Sequence, residues 1–292
     1  KENVPAEWIF CGNGAADVIF SLVLALKPQK ALLPIPSFYE YRQALESVGC
    51  QISEILLKED EAFCLQKRFV NEIPMDTDMV CLCNPNNPTG NTIPEQILTE
   101  ILQFCASKKI RVVADECFLR FHPHYEKMSC KRFLKQYPNL LIVNAFTKFY
   151  AMAGLRLGYL MTGDLSLLHA VAQQLPEWNV SSIAQRAGIS ALQDTEYEKR
   201  TRQLIEKERR YLIQEFLKMG CTVFPSEADY ITFRLPQEKT GFLLKERLLE
   251  GKILIRSCAN YRNMPPDCYR IAVKQHADNE ELVRQVWRIL IQ

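Results

Sequence analysis

The strongest constraint on the fold is set by three short runs, Met79-Val-Cys-Leu-Cys-Asn84, Arg111-Val-Val-Ala-Asp115-Glu116 and Leu140-Leu-Ile-Val-Asn144. Each has strand length, shows no polar alternation, and closes on a polar residue. A strand that is apolar on both sides must be covered on both sides. Between the runs lie helix-length segments, so the pattern predicts an α/β fold with a mostly parallel sheet sandwiched by helices. It also predicts where chemistry falls. The polar residues that end the runs sit at the carboxyl edge of the sheet, the side on which such sheets bind ligands.

The rest of the chain fits around this frame. Trp8-Ile-Phe-Cys11 is apolar and runs into Gly12-Asn-Gly14, which opens a helix over 15–26. The free N–H groups of that first turn form an anion site. A strand over 31–33 is expected to end at Pro34 and Pro36, with Ser37 capping a helix over 38–48. A strand follows at 50–57. Pro94 suits the first position of a helix over 94–107, and 131–136 also reads as helical. After Gly158 come a strand at 159–161, a helix from Leu165, a bend at 176–180, and helices over 181–192 and 196–219. Beyond Gly220, strands at 222–224, 230–235, 253–256 and 269–273 alternate with helices at 241–250 and 278–291. The expected division is a large α/β domain, 1–195, and a smaller α+β domain, 196–292.

Composition excludes several function classes. The 292 residues are 48% hydrophobic and 24% charged, ordinary for a globular protein. Lys+Arg 36 against Asp+Glu 34 leaves +2, with no basic block to suggest nucleic acid or a membrane surface as partner. No apolar run approaches the roughly 18–20 residues needed to cross a bilayer. Eleven cysteines are scattered through strands and helices. Cys81 and Cys83 point to opposite faces of one strand, so a clip between them is not expected. We read reduced thiols in a cytoplasmic protein. His122-Pro-His124 has no ligand cluster around it, so no metal site is expected.

Lys148 and Arg156 carry the first chemical signal. The strand ending at Asn144 runs into a small polar turn that delivers Lys148, with Arg156 one loop further and glycines at 154 and 158. A lysine at the mouth of a sheet is expected to be poorly solvated, so its amine can be neutral and nucleophilic. An arginine nearby is a fixed cation suited to a phosphate. Taken alone, the pair also reads as a surface lysine and an ordinary basic loop. Three more residues point to the same edge of the sheet. Asn87 lies in the turn Pro85-Asn-Asn-Pro-Thr-Gly90, with its amide expected to aim back over the strand end. Asp115 is a buried carboxylate that needs a cation or donors. Phe38 is placed to stack on a flat ring.

Asn84-Pro-Asn-Asn-Pro-Thr-Gly90, Asp115-Glu-Cys-Phe118 and Thr147-Lys148 with Gly154-Leu-Arg-Leu-Gly158 resemble, in order, the signature segments of the fold-type I pyridoxal 5'-phosphate (PLP) enzymes, the aminotransferase family. The resemblance spans about Phe10 to Val273. It implies that Lys148 bonds the cofactor covalently and moves protons at the substrate carbon. It implies that Asp115 pairs with the pyridine nitrogen, Asn87 donates to the ring oxygen, and Phe38 stacks on the ring. Thr147, Arg156 and the amides of Ala15 and Ala16 would hold the phosphate, with Phe118 also at the cofactor. Asn87, Arg256 and Arg270 would hold the substrate, Arg270 gripping its α-carboxylate and Arg256 a substrate phosphate. Within the family, the chain looks most like histidinol-phosphate aminotransferases and the L-threonine-O-3-phosphate decarboxylases of cobalamin synthesis. Gly12-Asn-Gly-Ala15, the Thr147 to Tyr159 stretch and Ile253 to Tyr261 tilt it to the decarboxylase. A phosphorylated amino-acid substrate and a homodimer are therefore implied. The alternatives are an aminotransferase exchanging with 2-oxoglutarate and a catalytically silent relative. Phe118 stands where aminotransferases carry a tyrosine, and Ala145 where a hydroxyl residue is usual. The N-terminal arm that covers the site in relatives is expected to be missing from this sequence.

Overall fold

The structure, a computed structural model, describes residues 1–239 and 243–291. Seven strands make the main sheet: β1 (Ile9–Gly12), β2 (Lys30–Ile35), β3 (Gln51–Leu56), β4 (Met79–Cys83), β5 (Arg111–Asp115), β6 (Leu140–Ala145) and β7 (Gly158–Met161). Their order is β1-β7-β6-β5-β4-β2-β3. The run β3-β2-β4-β5-β6 is parallel, and β7 lies antiparallel to both its neighbours. The helices between them are α1 (Ala15–Leu26), α2 (Tyr39–Ser47), the short α3 (Phe69–Glu72), α4 (Glu95–Ser107) and the short α5 (Tyr125–Met128). After β7 come α6 (Leu165–Ala172), α7 (Ser182–Gln193) and the long α8 (Thr195–Lys218).

Alternation within the central strands divides the core. Met79, Cys81, Cys83, Val113, Leu141 and Val143 pack with Val18, Leu22 and Leu45 from α1 and α2. Val80, Leu82, Val112, Ala114, Leu140 and Ile142 pack on the other side with Leu98, Ile101 and Leu102 of α4. Both faces are therefore covered, as uninterrupted apolar strands require.

A second, antiparallel sheet follows α8, in the order β10 (Arg256–Ser257), β11 (Cys268–Ala272), β9 (Tyr230–Arg234), β8 (Thr222–Val223), flanked by α9 (Leu244–Glu250) and α10 (His276–Ile291). It docks on the Asn84–Gly90 turn through three alternate carbonyls. Tyr230 Oη donates to the Asn86 carbonyl at 2.7 Å, Thr232 Oγ1 to that of Pro88, and the Glu227 N–H to that of Gly90 at 2.7 Å.

Several expected boundaries move. Pro34 does not end β2 but pairs with Ile55 inside it. The carbonyls of Gln29 and Ile35 accept from the β3 side and that of Lys30 from the β4 side, so Pro34 faces β4. Pairing with β4 involves only Ala31 and Leu32, so the missing N–H breaks no ladder bond. Ser37 caps nothing: α2 begins at Tyr39 after Phe38, and the Ser37 hydroxyl is buried without a partner among the described residues. Pro94 is the residue before α4 rather than its first. The expected helix at 131–136 is a 3-10 turn over Cys130–Phe133. The expected strand at 253–256 shrinks to Arg256–Ser257, because Lys252 takes a left-handed turn, φ 62°, and the Ile253 N–H bonds back to Leu248. The expected start of a helix at Gly241 lies outside the described residues.

Candidate active site

A cavity of about 220 Å³ lies at the carboxyl edge of the main sheet. Its walls bring together Ala15, Ala16, Phe38, Asn87, Asp115, Phe118, Thr147, Lys148 and Arg156, residues drawn from six separate stretches of the chain. Glu40, Cys83 and Cys117 complete it.

One end is built for an anion. The helix α1 starts after Gly14 with no side-chain cap, so its first amides point outward without a partner from a cap. Arg156 is held over that start. Its backbone is left-handed at φ 54°, a conformation that favours glycine, and a Cβ on Gly14 would lie 2.8 Å from Arg156 Nη2. Gly158 on β7 packs directly on the same turn, since a Cβ there would lie 2.5 Å from the Gly14 carbonyl carbon and 2.7 Å from the Ala15 nitrogen. Two helix amides, a guanidinium and the Thr147 hydroxyl therefore share one end of the cavity.

The floor carries Asp115, at 4% exposure. Tyr41 Oη donates to its Oδ2 at 2.7 Å and the Cys117 N–H to its Oδ1 at 2.9 Å. Burial and the Asp115 charge push the Tyr41 phenol well above its usual range, so it stays a donor. Glu116, the next residue, turns away to Ser129 and the Cys130 N–H, both at 2.6 Å. Phe38 and Tyr41 contact each other edge-on, with centroids 5.5 Å apart.

Lys148 is exposed to the cleft, not desolvated as expected, and its Nζ lies 5.4 Å from the centroid of Phe118. Phe118 in turn meets Tyr230 edge-on at 5.0 Å. Asn87 is buried, and its Oδ1 accepts from Tyr261 Oη at 3.1 Å and from Arg270 Nη1. That occupies the oxygen, and among the described residues its Nδ2 has no hydrogen-bond acceptor. Ala145, buried, has no hydroxyl to offer; its N–H donates to Asn144 Oδ1 at 2.8 Å.

A second pocket of about 340 Å³ opens beside the first, sharing Phe38, Glu40, Asn87, Phe118 and Lys148 with it. Arg256 and Arg270 line this pocket and face each other across β10 and β11. Arg270 lies over the Tyr230 ring at 4.9 Å, and Arg256 over that of Tyr261 at 5.6 Å. Arg256 Nη2 also donates to Asn260 Oδ1 at 2.9 Å. A larger groove of about 1060 Å³ continues outward past Asp229 and the same two arginines.

All the sequence-predicted site residues thus meet around Lys148. Sequence reading missed Tyr41, Tyr230, Tyr261, Glu40 and Asp229. Tyr41 was within reach of sequence reading, since it follows Phe38 by three residues at the start of α2 and contacts it. Tyr230 and Tyr261 reach the site through contacts more than 140 residues apart in sequence, where no local pattern exists.

Residues 2–286 match the family of class I and II aminotransferases, and the chain belongs to that family. Among its relatives, it is 36% identical to threonine-phosphate decarboxylase of Salmonella typhimurium, over 98% of this chain and 78% of that protein. It is 30% identical to histidinol-phosphate aminotransferase 2 of Carboxydothermus hydrogenoformans, over 99% and 79%. Among solved structures it is similar to the histidinol-phosphate aminotransferase from Clostridium acetobutylicum, with TM-score 0.90, 30% identity, and 97% and 84% of the two chains covered. The protein is a pyridoxal-phosphate-dependent enzyme. Among the described residues, no helix is long and apolar enough to cross a membrane. All eleven cysteines are free thiols.

The cavity fits pyridoxal 5'-phosphate on its own terms. A cradle of helix amides closed by a glycine–glycine contact suits a phosphate, and a buried carboxylate braced by two donors suits a ring N–H. The Nδ2 of Asn87 suits a ring oxygen, and a lysine stands at the rim.

Proposed function

We propose that this enzyme decarboxylates a phosphorylated amino acid, L-threonine O-3-phosphate, giving aminopropanol phosphate and CO2 in cobalamin synthesis. The observation that carries the reading is the pocket in which Arg256 and Arg270 stand opposite one another and open onto Lys148. Two guanidiniums at one mouth suit a ligand with two anionic ends, a carboxylate and a phosphate. The greater identity to the Salmonella decarboxylase supports the decarboxylating branch over the transaminating one.

Each residue then has a task. Arg156, Thr147 and the amides of Ala15 and Ala16 hold the cofactor phosphate. Asp115 holds the ring nitrogen's proton, Asn87 donates to the ring oxygen, and Phe38 and Phe118 border the ring. Bound pyridoxal 5'-phosphate supplies an electron sink for the pair left when a bond at Cα breaks. Arg270 grips the α-carboxylate and Arg256 the phosphate, which fixes the bond presented for cleavage. The Cα–carboxylate bond breaks, CO2 leaves, and Lys148 delivers a proton to Cα. We place the division of labour at 1–195 for the cofactor and 196–292 for the substrate grip. We also infer a cytoplasmic homodimer.

Product analysis tests this reading. The holoenzyme given L-threonine O-3-phosphate is expected to release CO2 without any 2-oxoglutarate. Glutamate-linked exchange without CO2 would instead make it an aminotransferase on a phosphorylated amine. That second reading is favoured by the close structural likeness to the Clostridium acetobutylicum enzyme.

A further inference from the structure

The two pockets share one wall residue whose charge runs against the rest of the site. Glu40, in the first turn of α2, lines both the 220 Å³ cavity with Lys148 and the 340 Å³ pocket with Arg256 and Arg270. It is half-buried. The other acidic groups of these two pockets are engaged. Glu54 pairs with Arg42 and, at 2.8 Å, with Arg262, while Asp115 takes its two donors. Among the described residues, the Glu40 carboxylate has no hydrogen bond or ion pair to another side chain. Its hydrogen bond comes from its own backbone N–H, so no other residue fixes the carboxylate in place. Burial pushes its carboxyl above the usual range, its own backbone N–H and Lys148 pull it back, and Asp115 pushes it up again. A site built to hold an anionic ligand gains nothing in affinity from such a group.

We infer that Glu40 is a specificity-determining residue that opposes the substrate's α-carboxylate and so favours its loss. The inference rests on the decarboxylase reading. A phosphorylated amino acid brings a carboxylate to a pocket with Glu40 in its wall. When the Cα–carboxylate bond breaks, the electron pair stays on Cα and CO2 departs neutral. Lys148 supplies the proton that fills Cα. The repulsion present with bound substrate therefore fades as the bond breaks. Interactions that are worse in the ground state than in the transition state raise kcat rather than affinity. Substrate and product both carry the cationic amine, which Glu40 attracts, but only the substrate adds the carboxylate that Glu40 repels. Glu40 thus disfavours the substrate relative to the product. A residue that only supported the fold would not do so.

The experiment compares the wild-type holoenzyme with Glu40→Gln, which keeps shape and removes charge. The expected result is a KM for L-threonine O-3-phosphate that falls and a kcat that falls with it, each by roughly fivefold or more, the lower bound being one like-charge contact screened as in bulk water. Calorimetric titration of the holoenzyme with aminopropanol phosphate is expected to show weaker binding in the variant. Glu40→Ala is expected to shift both ligands the same way as Gln, and Glu40→Asp, which retains the charge, is expected to keep the wild-type ordering. Together these keep the inference testable if one variant folds poorly. A fall in kcat with KM unchanged, or both ligands moving in the same direction, would overturn it. Absence of CO2 from the wild type would instead sink the decarboxylase reading, and the product titration would still judge Glu40.

Discussion

Gly154 in the loop before β7 and Gly158 at the start of that strand look alike in sequence, yet the structure predicts opposite consequences for replacing them. In Gly158→Ala the new Cβ would sit 2.5 Å from the Gly14 carbonyl carbon, 2.7 Å from the Ala15 nitrogen and 2.8 Å from Gly14 Cα. Carbon contacts settle near about 3.5–4.0 Å, so the first turn of α1 must retreat by roughly 1 Å. All three atoms are backbone, so no side chain can swing aside. The displaced atoms are those that present the Ala15 and Ala16 amides to a phosphate. Hydrogen bonds to a charged group contribute roughly 1.5–3 kcal/mol each, and weakening two of them by half removes about 1.5–3 kcal/mol. That corresponds to a loss of roughly ten- to a hundredfold in PLP affinity. Overpacking of this kind costs the fold about 1–3 kcal/mol as well. A Cβ added at Gly154 would meet nothing within 4 Å, and its φ is not left-handed, so Gly154→Ala should leave PLP affinity unchanged. Titrating each apoprotein with PLP while following fluorescence gives both constants. The reasoning is refuted if Gly158→Ala binds PLP within twofold of wild type, or if Gly154→Ala weakens binding as much.

Other perturbations follow from the same geometry. Arg270→Lys gives up paired donation to a carboxylate and the contact with Asn87 Oδ1, and kcat/KM should fall by roughly tenfold or more. Arg256→Ala should weaken L-threonine O-3-phosphate by about 2 kcal/mol while barely changing the affinity for unphosphorylated L-threonine, measured by calorimetry. Asp229, whose Oδ1 is enclosed without a partner among the described residues, has its carboxyl pushed up to about 6 by burial. Its folded-state value lies above the unfolded one, so its support for the fold is full below the unfolded value and is lost as pH rises through about 6. Asp229→Asn should therefore be more stable than wild type at pH 8, by on the order of 2 kcal/mol, and indistinguishable at pH 4 in urea melts.

The parts of this site that could be read from sequence are those set by local chemistry. The glycines before α1, the prolines around Asn87, Asp115 closing β5 and Lys148 just past β6 each leave a pattern within ten residues. Strand burial was legible for the same reason, since β4, β5 and β6 are apolar on both faces. Pro34 misled because its cost depends on which neighbour it faces, and pairing is a property of the sheet. Ser37 misled because a hydroxyl that suits a cap by type was drawn into the pocket wall instead. Tyr230 and Tyr261 come from the second sheet, and only docking of that sheet on the Asn84–Gly90 turn brings them to Asn87. The exposure of Lys148 likewise depends on how the two sheets leave the cleft open, which no run of residues encodes.

Every role proposed for the site depends on Lys148 as the covalent seat of the cofactor, and that can be measured directly. The PLP-loaded protein would be reduced with borohydride, digested, and its peptides mapped by mass. We predict a single pyridoxyl-modified peptide, with the label on Lys148 and no label in Lys148→Ala. A label on another lysine, or a Lys148→Ala protein that still turns over substrate, would contradict the assignment.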